Sequence, residues 1–162
     1  MTDIQKPDAP DEDIDARIAC VLAEYEAHDR RSAALFPANK AALFDALQGA
    51  SVTTVTVTFD GYGDSGQIEE ITAQQGDTTV DLPAGQVALS SAIWNADAVS
   101  TTPMEIEAAI EHLCYDLLRH SHPGWENNDG AYGDFVFDVV AGTITLDYAE
   151  RYTATQSYNH DF

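Results

Sequence analysis

The stretch FVFDVVAGTITLDY, residues 135–148, decides the fold of this chain. Apolar and polar side chains alternate on both sides of Ala141-Gly142, which is the period of strands with one buried face. With a two-residue turn there, the inner pairs are Val139 with Ile144, Phe137 with Leu146, and Phe135 with Tyr148. The outer pairs are then Val140 with Thr143, Asp138 with Thr145, and Val136 with Asp147. A one-residue slip would bury two aspartates, so an antiparallel hairpin is strongly specified.

Further strand patterns lie on both sides of this hairpin. Valine and phenylalanine alternate with threonine in residues 51–60, which predicts a half-buried strand. Residues 67–73 are its expected partner, with a β-bulge near Gly66 because the two isoleucines of the segment lie on opposite parities. Residues 78–82 and 87–93 predict a short edge strand and an irregular connection. Tyrosines alternating with threonine and serine in residues 151–159 predict that the last strand continues.

Three helices are predicted. The first begins at Asp11, where several acids crowd the first turn and favour the positive end of the helix dipole. The second begins at Pro37, a residue suited to the first helical position, and stops at Gly49. The third begins with a capping box and a proline in Thr102-Pro103-Met104-Glu105 and ends before Pro123.

These elements predict an α+β fold: an antiparallel sheet of about five or six strands with helices packed on one face and the other face open. Residues 1–10 are expected to be a flexible arm. Residues 11–162 are expected to form a single α+β domain, with two helices in residues 11–49 and the sheet and third helix in residues 50–162.

The charge of the chain narrows the class of partner. It contains 28 Asp and Glu against 7 Lys and Arg, a formal net charge of −21 on 162 residues. Such a surface repels nucleic acid and anionic membranes and attracts basic proteins. Two explanations stay open: adaptation to concentrated salt, which coats every face with acids, or a concentrated acidic patch that imitates nucleic-acid phosphates.

The sequence also bears on the cellular compartment. No apolar run approaches the roughly 20 residues that cross a bilayer, and the N-terminus lacks the pattern of a signal peptide, so a cytoplasmic protein is expected. Cys20 and Cys114 have no Cys-x-x-Cys partner, and we expect both to be reduced and mostly buried.

Six carboxylates and two aromatic residues are the candidate partner-binding residues. The open sheet face is expected to carry Asp134, Asp138 and Asp147, and the outer side of the third helix Glu107, Glu111 and Asp116. Tyr62 and Trp125 are candidate aromatic anchors. The alternative is that these carboxylates form an ordinary solvated surface.

A metal site is the second hypothesis. Asp60-Gly-Tyr-Gly-Asp64-Ser-Gly66 offers carboxylate oxygens on a flexible turn, and Asp129 could join them to hold Ca²⁺ or Mg²⁺ in a binding domain or a small metal-dependent enzyme. The alternative is a structural hairpin turn. His120 and His122 are weaker zinc candidates, and no nucleophile elbow, phosphate-binding loop or dinucleotide fingerprint supports an enzyme.

The segments FDGYGDSGQIE, residues 59–69, and HPGWENNDGAYGD, residues 122–134, together with the strands that follow, resemble a small bacterial family of unknown function. The resemblance covers residues 50–162 and implies a small acidic domain, associated with mobile genetic elements, with no activity to carry over. In charge alone the chain is similar to DNA-mimicking inhibitors, including some anti-CRISPR proteins. We therefore expect a non-enzymatic protein that binds and inhibits a basic, nucleic-acid-binding protein.

Overall fold

The structure, a computed structural model, describes residues 11–162, with side chains from Asp13 onward. The predicted arm at residues 1–10 lies outside the described residues. The elements are α1 Asp11–Gly49, β1 Thr54–Tyr62, β2 Ser65–Gln75, β3 Thr78–Val80, β4 Gln86–Ala92, β5 Val99–Glu105, α2 Ile106–Ser121, β6 Ala131–Asp138 and β7 Thr143–Glu150. They form two compact units. The smaller unit contains the described chain up to Phe36 together with Ser90–Thr101, and the larger unit contains Pro37–Leu89 and Thr102–Phe162.

The larger unit contains an antiparallel five-stranded sheet in the order β3-β2-β1-β6-β7, which confirms the predicted α+β class and the edge position of the short strand. One face buries the apolar residues of β1 and β6, including Phe59, Phe135 and Phe137. The C-terminal part of α1 packs there, with Phe44 stacked on Phe137 at 6.0 Å between ring centroids. Removing these side chains from water supplies the main stabilisation of the unit.

A bulge in β2 puts its isoleucines in register with the core. Thr58 pairs with Glu70 while the next residue, Phe59, pairs with Ile68, so Glu69 is the extra residue. A bulge was predicted near Gly66; it lies three residues further along, where it turns Ile68 and Ile71 to the same face.

The register of the C-terminal hairpin differs from the prediction by two residues. Phe137 pairs with Ile144 and Asp138 with Thr143, so the turn has four residues rather than two. The Asp138 side chain accepts a hydrogen bond from the Ala141 amide at 2.9 Å, and the Asp138 carbonyl accepts one from Gly142. The prediction of a two-residue turn was wrong because these hydrogen bonds favour the four-residue turn. A shift of two preserves which residues face the core.

The last strand is shorter than predicted. β7 ends at Glu150, which pairs with Ala131, the first residue of β6. Because β6 offers no partner beyond that point, residues 151–162 have no regular structure and are exposed. The Arg151 amide still donates to the Gly130 carbonyl at 2.9 Å.

The helix boundaries need two corrections. α1 is continuous from Asp11 to Gly49, and Pro37 lies inside it rather than starting a second helix. The preceding residues 33–36 are good helix formers and contain no capping residue, so nothing ends the helix before the proline.

The predicted capping box does not form. Residues 102–105 belong to β5, which pairs with β4, and α2 begins at Ile106 without a side-chain cap. Gln86 Nε2 donates to Glu105 Oε1 at 3.2 Å, which ties this segment to the strand. Pro103 is compatible with the strand because a two-stranded sheet leaves it an unpaired edge. The helix ends at Ser121, before Pro123, as predicted.

The smaller unit combines the first part of α1 with the tip of the β4–β5 hairpin. Tyr25 packs on Trp94 at 4.7 Å between ring centroids, and Glu24 accepts hydrogen bonds from Arg31 and from the Asn95 amide. Cys20 is exposed here, which corrects the expectation that both cysteines are buried; only Cys114, in the larger unit, is buried. In the described part of the chain, no helix is long and apolar enough to span a membrane.

Candidate functional site

Carboxylates form a row across the open face of the sheet. Glu70 pairs with Thr58, Thr58 with Asp134, and Asp134 with Asp147, so four neighbouring strands each contribute one residue to the same face. The Thr58 hydroxyl donates to Asp134 Oδ1 at 2.5 Å. Two of the predicted carboxylates are therefore directly opposite each other, and Glu70 extends the row.

Asp138 and Asp60 complete this surface. Asp138 pairs with Thr54 on one side and with Thr143 on the other. Its side chain is exposed, although it accepts the hydrogen bond of the turn. Asp60 lies on the same face two residues after Thr58, where Arg151 Nη1 approaches it to 2.7 Å. We call Glu70, Asp134, Asp147, Asp138 and Asp60 the acidic sheet face.

Positive charge is distributed very differently. The five strands of the sheet carry seven carboxylates, namely Asp60, Glu69, Glu70, Asp134, Asp138, Asp147 and Glu150, and no Lys, Arg or His. Five cationic residues of the described chain lie on the helices, namely Arg17, Arg30, Arg31, Lys40 and Arg119, and Arg151 follows β7. The helices thus carry cations among their acids, whereas the strands carry none and the sheet face receives Arg151 at Asp60.

The candidate acids of α2 lie on the other layer of the unit. Tyr115 of α2 accepts a hydrogen bond from the Ile68 amide at 3.1 Å and stacks near Trp125, on the core side of the sheet. The carboxylates of Glu107, Glu111 and Asp116 are therefore separated from the acidic sheet face by the core. Asp116 also forms an ion pair with Arg119 at 3.3 Å and lies 3.4 Å from His112 Nε2.

The two glycine-rich segments of the sequence meet at one end of the sheet. The Gly63 amide donates to the Asn128 carbonyl at 2.9 Å, and the Asp64 amide donates to the Glu126 carbonyl at 3.1 Å. Gly130 has φ +75°, and a β-carbon there would overlap the Gly61 carbonyl oxygen. The two loops therefore form one rigid double loop, residues 60–66 and 122–130.

The two aromatic candidates have different environments. Trp125 is only 9% exposed, packs edge-on against Phe59, and covers Gly61 and Gly66, where any β-carbon would overlap its ring. Tyr62 is 71% exposed at the tip of the double loop. The structure thus leaves Tyr62 free to contact a partner and gives Trp125 a packing position in the wall of a cleft.

Two of the three candidate metal ligands are engaged with protein groups through their carboxylates. Asp60 pairs with Arg151, Asp129 Oδ2 accepts a hydrogen bond from Thr153 at 2.8 Å, and Asp64 lies in the turn with φ +65°. Among the described residues, no group of three or more His, Cys, Asp or Glu side chains is placed to hold a metal ion. The metal hypothesis remains a prediction from the sequence.

The two histidines that were candidates for binding zinc contact different parts of the protein. His120 Nδ1 lies 2.7 Å from the Asp116 carbonyl oxygen in the last turn of α2. His122 stacks on Tyr148, with ring centroids 3.6 Å apart and planes 7° from parallel. Burial, and then the Glu150 carboxylate, raise the pKa of the Tyr148 hydroxyl.

An open cleft of about 660 Å³ lies between the double loop and α2. Its lining includes Glu126, Asp64, Tyr115, Trp125, Arg119 and His112. Glu126 Oε2 is buried and has no hydrogen-bond partner among the described residues. Sequence patterns missed Glu126, Glu70 and Arg151, because each acquires its surroundings only from strand pairing and loop packing.

The fold and this surface define a class: a small acidic α+β protein whose open sheet face carries five carboxylates, one of them paired with Arg151. Residues 35–162 match the Family of unknown function (DUF6878), and the chain belongs to that family. The match extends further into α1 than the resemblance at residues 50–162 implied. The chain matches no curated protein and no solved structure.

Proposed function

We propose that the acidic sheet face binds a basic partner protein and that the chain acts as a binding protein rather than an enzyme. The uneven distribution of charge carries this proposal. Acids lie on sheet and helices alike, as adaptation to salt would also place them, but the cations do not: they accompany the acids of the helices and are absent from the strands.

The position of Asp134 opposite Asp147 supports a binding role. Like charges directly across two strands oppose folding, and a neutral pair would be more stable at this position. A surface that keeps such a pair favours a basic partner, because a cation placed between the carboxylates relieves their repulsion.

The partner class follows from the spacing of the charges. Neighbouring strands lie about 4.8 Å apart, so Asp134 and Asp147 are one strand spacing apart and Glu70 is two strands from Asp134. A groove that binds nucleic-acid phosphates presents Arg and Lys to just such a surface. The partner we propose is a nucleic-acid-binding protein, which the acidic sheet face blocks by occupying its phosphate-binding groove.

The test compares two double charge reversals of equal net charge. Glu70→Lys with Asp147→Lys alters the acidic sheet face at exposed positions that make no side-chain hydrogen bond in the described structure. Glu107→Lys with Glu111→Lys alters α2. The wild type and both variants are immobilised and used to capture proteins from nuclease-treated lysate of the native host.

We expect one basic protein to be retained by the wild type and the α2 variant, at least tenfold less by the sheet variant, and to be displaced by added duplex DNA. Thermal unfolding of all three proteins checks that the fold is intact. Equal retention by the two variants would reject the sheet face as the binding surface. Capture that duplex DNA does not displace would reject phosphate mimicry.

A further inference from the structure

The cleft between the double loop and α2 contains an unsatisfied group. Glu126 Oε2 is shielded from solvent, yet it accepts no hydrogen bond from the described residues. A carboxylate oxygen removed from water without a partner is destabilising, and an ordered water, an ion or a ligand usually completes such a site. A donor that enters the cleft from outside would satisfy it.

Aromatic rings stand beside this carboxylate. Trp125, the next residue before Glu126, and Tyr115 of α2 have ring centroids 6.5 Å apart and planes 30° from parallel. Both residues line the cleft, and the Trp125 indole packs directly on Gly66, which holds the ring in the cleft wall. Ring faces attract cations, so the aromatic pair and the carboxylate favour the same kind of ligand.

The donors already in the cleft do not satisfy Glu126. The Arg119 guanidinium and the His112 ring nitrogen both approach Asp116, at 3.3 Å and 3.4 Å. Asp64, on the opposite loop, adds a second carboxylate to the lining. The free charge in the cleft is therefore negative.

We propose that this cleft binds a guanidinium group, namely an arginine side chain of the basic partner. A guanidinium is planar, weakly hydrated, able to stack on an aromatic ring, and able to donate two parallel hydrogen bonds to one carboxylate. The cleft volume of about 660 Å³ accommodates a whole arginine side chain. The assignment of the arginine to a partner protein rests on the proposed function, whereas the affinity of the cleft for a guanidinium group does not.

The test uses a small probe and the single tryptophan of the cleft. The chain has two tryptophans, so Trp94→Phe, in the smaller unit, leaves Trp125 as the only indole. N-acetyl-arginine amide is titrated at constant ionic strength while the Trp125 emission is recorded. We expect saturation with a Kd on the order of 1 mM, as is usual for a ligand of this size.

Glu126→Gln in the same background keeps the shape of the side chain and removes its charge, and we expect a Kd at least tenfold higher. Glu69→Gln, an exposed carboxylate on β2 outside this cleft, is the matched control and should leave the Kd unchanged. No saturation, or the same Kd in Glu126→Gln, would overturn the proposal. Tighter binding of free arginine than of the blocked probe would overturn a protein partner as its source.

This experiment and the capture assay fail separately. The probe carries one charge and reports only on the cleft, so its result does not depend on the acidic sheet face. If the probe binds while the sheet variant still captures the partner, the cleft is supported and the sheet surface is rejected.

Discussion

At the residue scale, glycines decide whether the double loop can form. Gly61 and Gly66 let the Trp125 ring lie against the backbone, with the indole 2.7 Å from where a β-carbon of Gly61 would be. Gly130 both adopts a left-handed conformation and touches the Gly61 carbonyl. Packing in this loop therefore depends on missing side chains, which periodicity in a sequence does not reveal.

Gly130→Ala and Gly142→Ala separate these two requirements. Both glycines have nearly the same φ, +75° and +72°, but only Gly130 faces another backbone atom, since a β-carbon at Gly142 meets open space. We expect Gly142→Ala to lower the free energy of unfolding by about 1 kcal/mol, the conformational penalty alone.

Gly130→Ala adds an overlap with the Gly61 carbonyl, and we expect a loss of about 3 kcal/mol or more. Urea unfolding followed by far-ultraviolet circular dichroism measures both variants. Equal losses would mean that the double loop moves apart without penalty, in contradiction to the close packing of its two segments.

At the element scale, the sequence predicted strands better than their connections. The alternation in β1, β6 and β7 predicted which side chains are buried, because a strand has a period of two residues whatever its register. The turn at Asp138, the bulge at Glu69 and the helix start at Ile106 were displaced. The turn depends on hydrogen bonds within residues 138–142, which alternation does not encode, the bulge depends on pairing with β1, and the helix start depends on the pairing of β5 with β4.

The same limit applies to the candidate surface. Asp134, Asp138 and Asp147 could be assigned to one face from alternation alone. The separation of Glu107 and Glu111 from them required the placement of α2 on the core side of the sheet, and the pairing of Asp60 with Arg151 required the end of β7. These are consequences of tertiary packing.

The carboxylate pair between β6 and β7 leads to a stability prediction. Asp147→Asn keeps the shape of the side chain and removes the repulsion with Asp134, so we expect the free energy of unfolding to rise by about 0.2–1 kcal/mol. Asp81→Asn removes the same charge from an exposed position outside the strands and should change stability less. Chemical denaturation at low ionic strength compares them, and an equal gain in both variants would show that only net charge matters.

At the scale of the whole molecule, a net charge of −21 on 162 residues sets the response to salt. Self-repulsion of this size destabilises the folded state, and added ions screen it. The Debye length falls from about 10 Å at 0.1 M to about 3 Å at 1 M, so screening between exposed charges is nearly complete by 1 M. Adaptation to brine would instead require much higher salt for folding.

These alternatives predict different melting curves. We expect the chain to be folded at 20 °C in about 0.05 M NaCl, with a melting temperature that rises toward about 0.5 M and then levels off as screening saturates. Differential scanning calorimetry in NaCl and in KCl measures the midpoint. A chain unfolded in dilute buffer, or a midpoint still climbing steeply at about 3 M, would assign the acidity to solvation in brine. A plateau would instead mean that the carboxylates of the sheet have no role in salt tolerance. That result would favour their role in binding a basic partner.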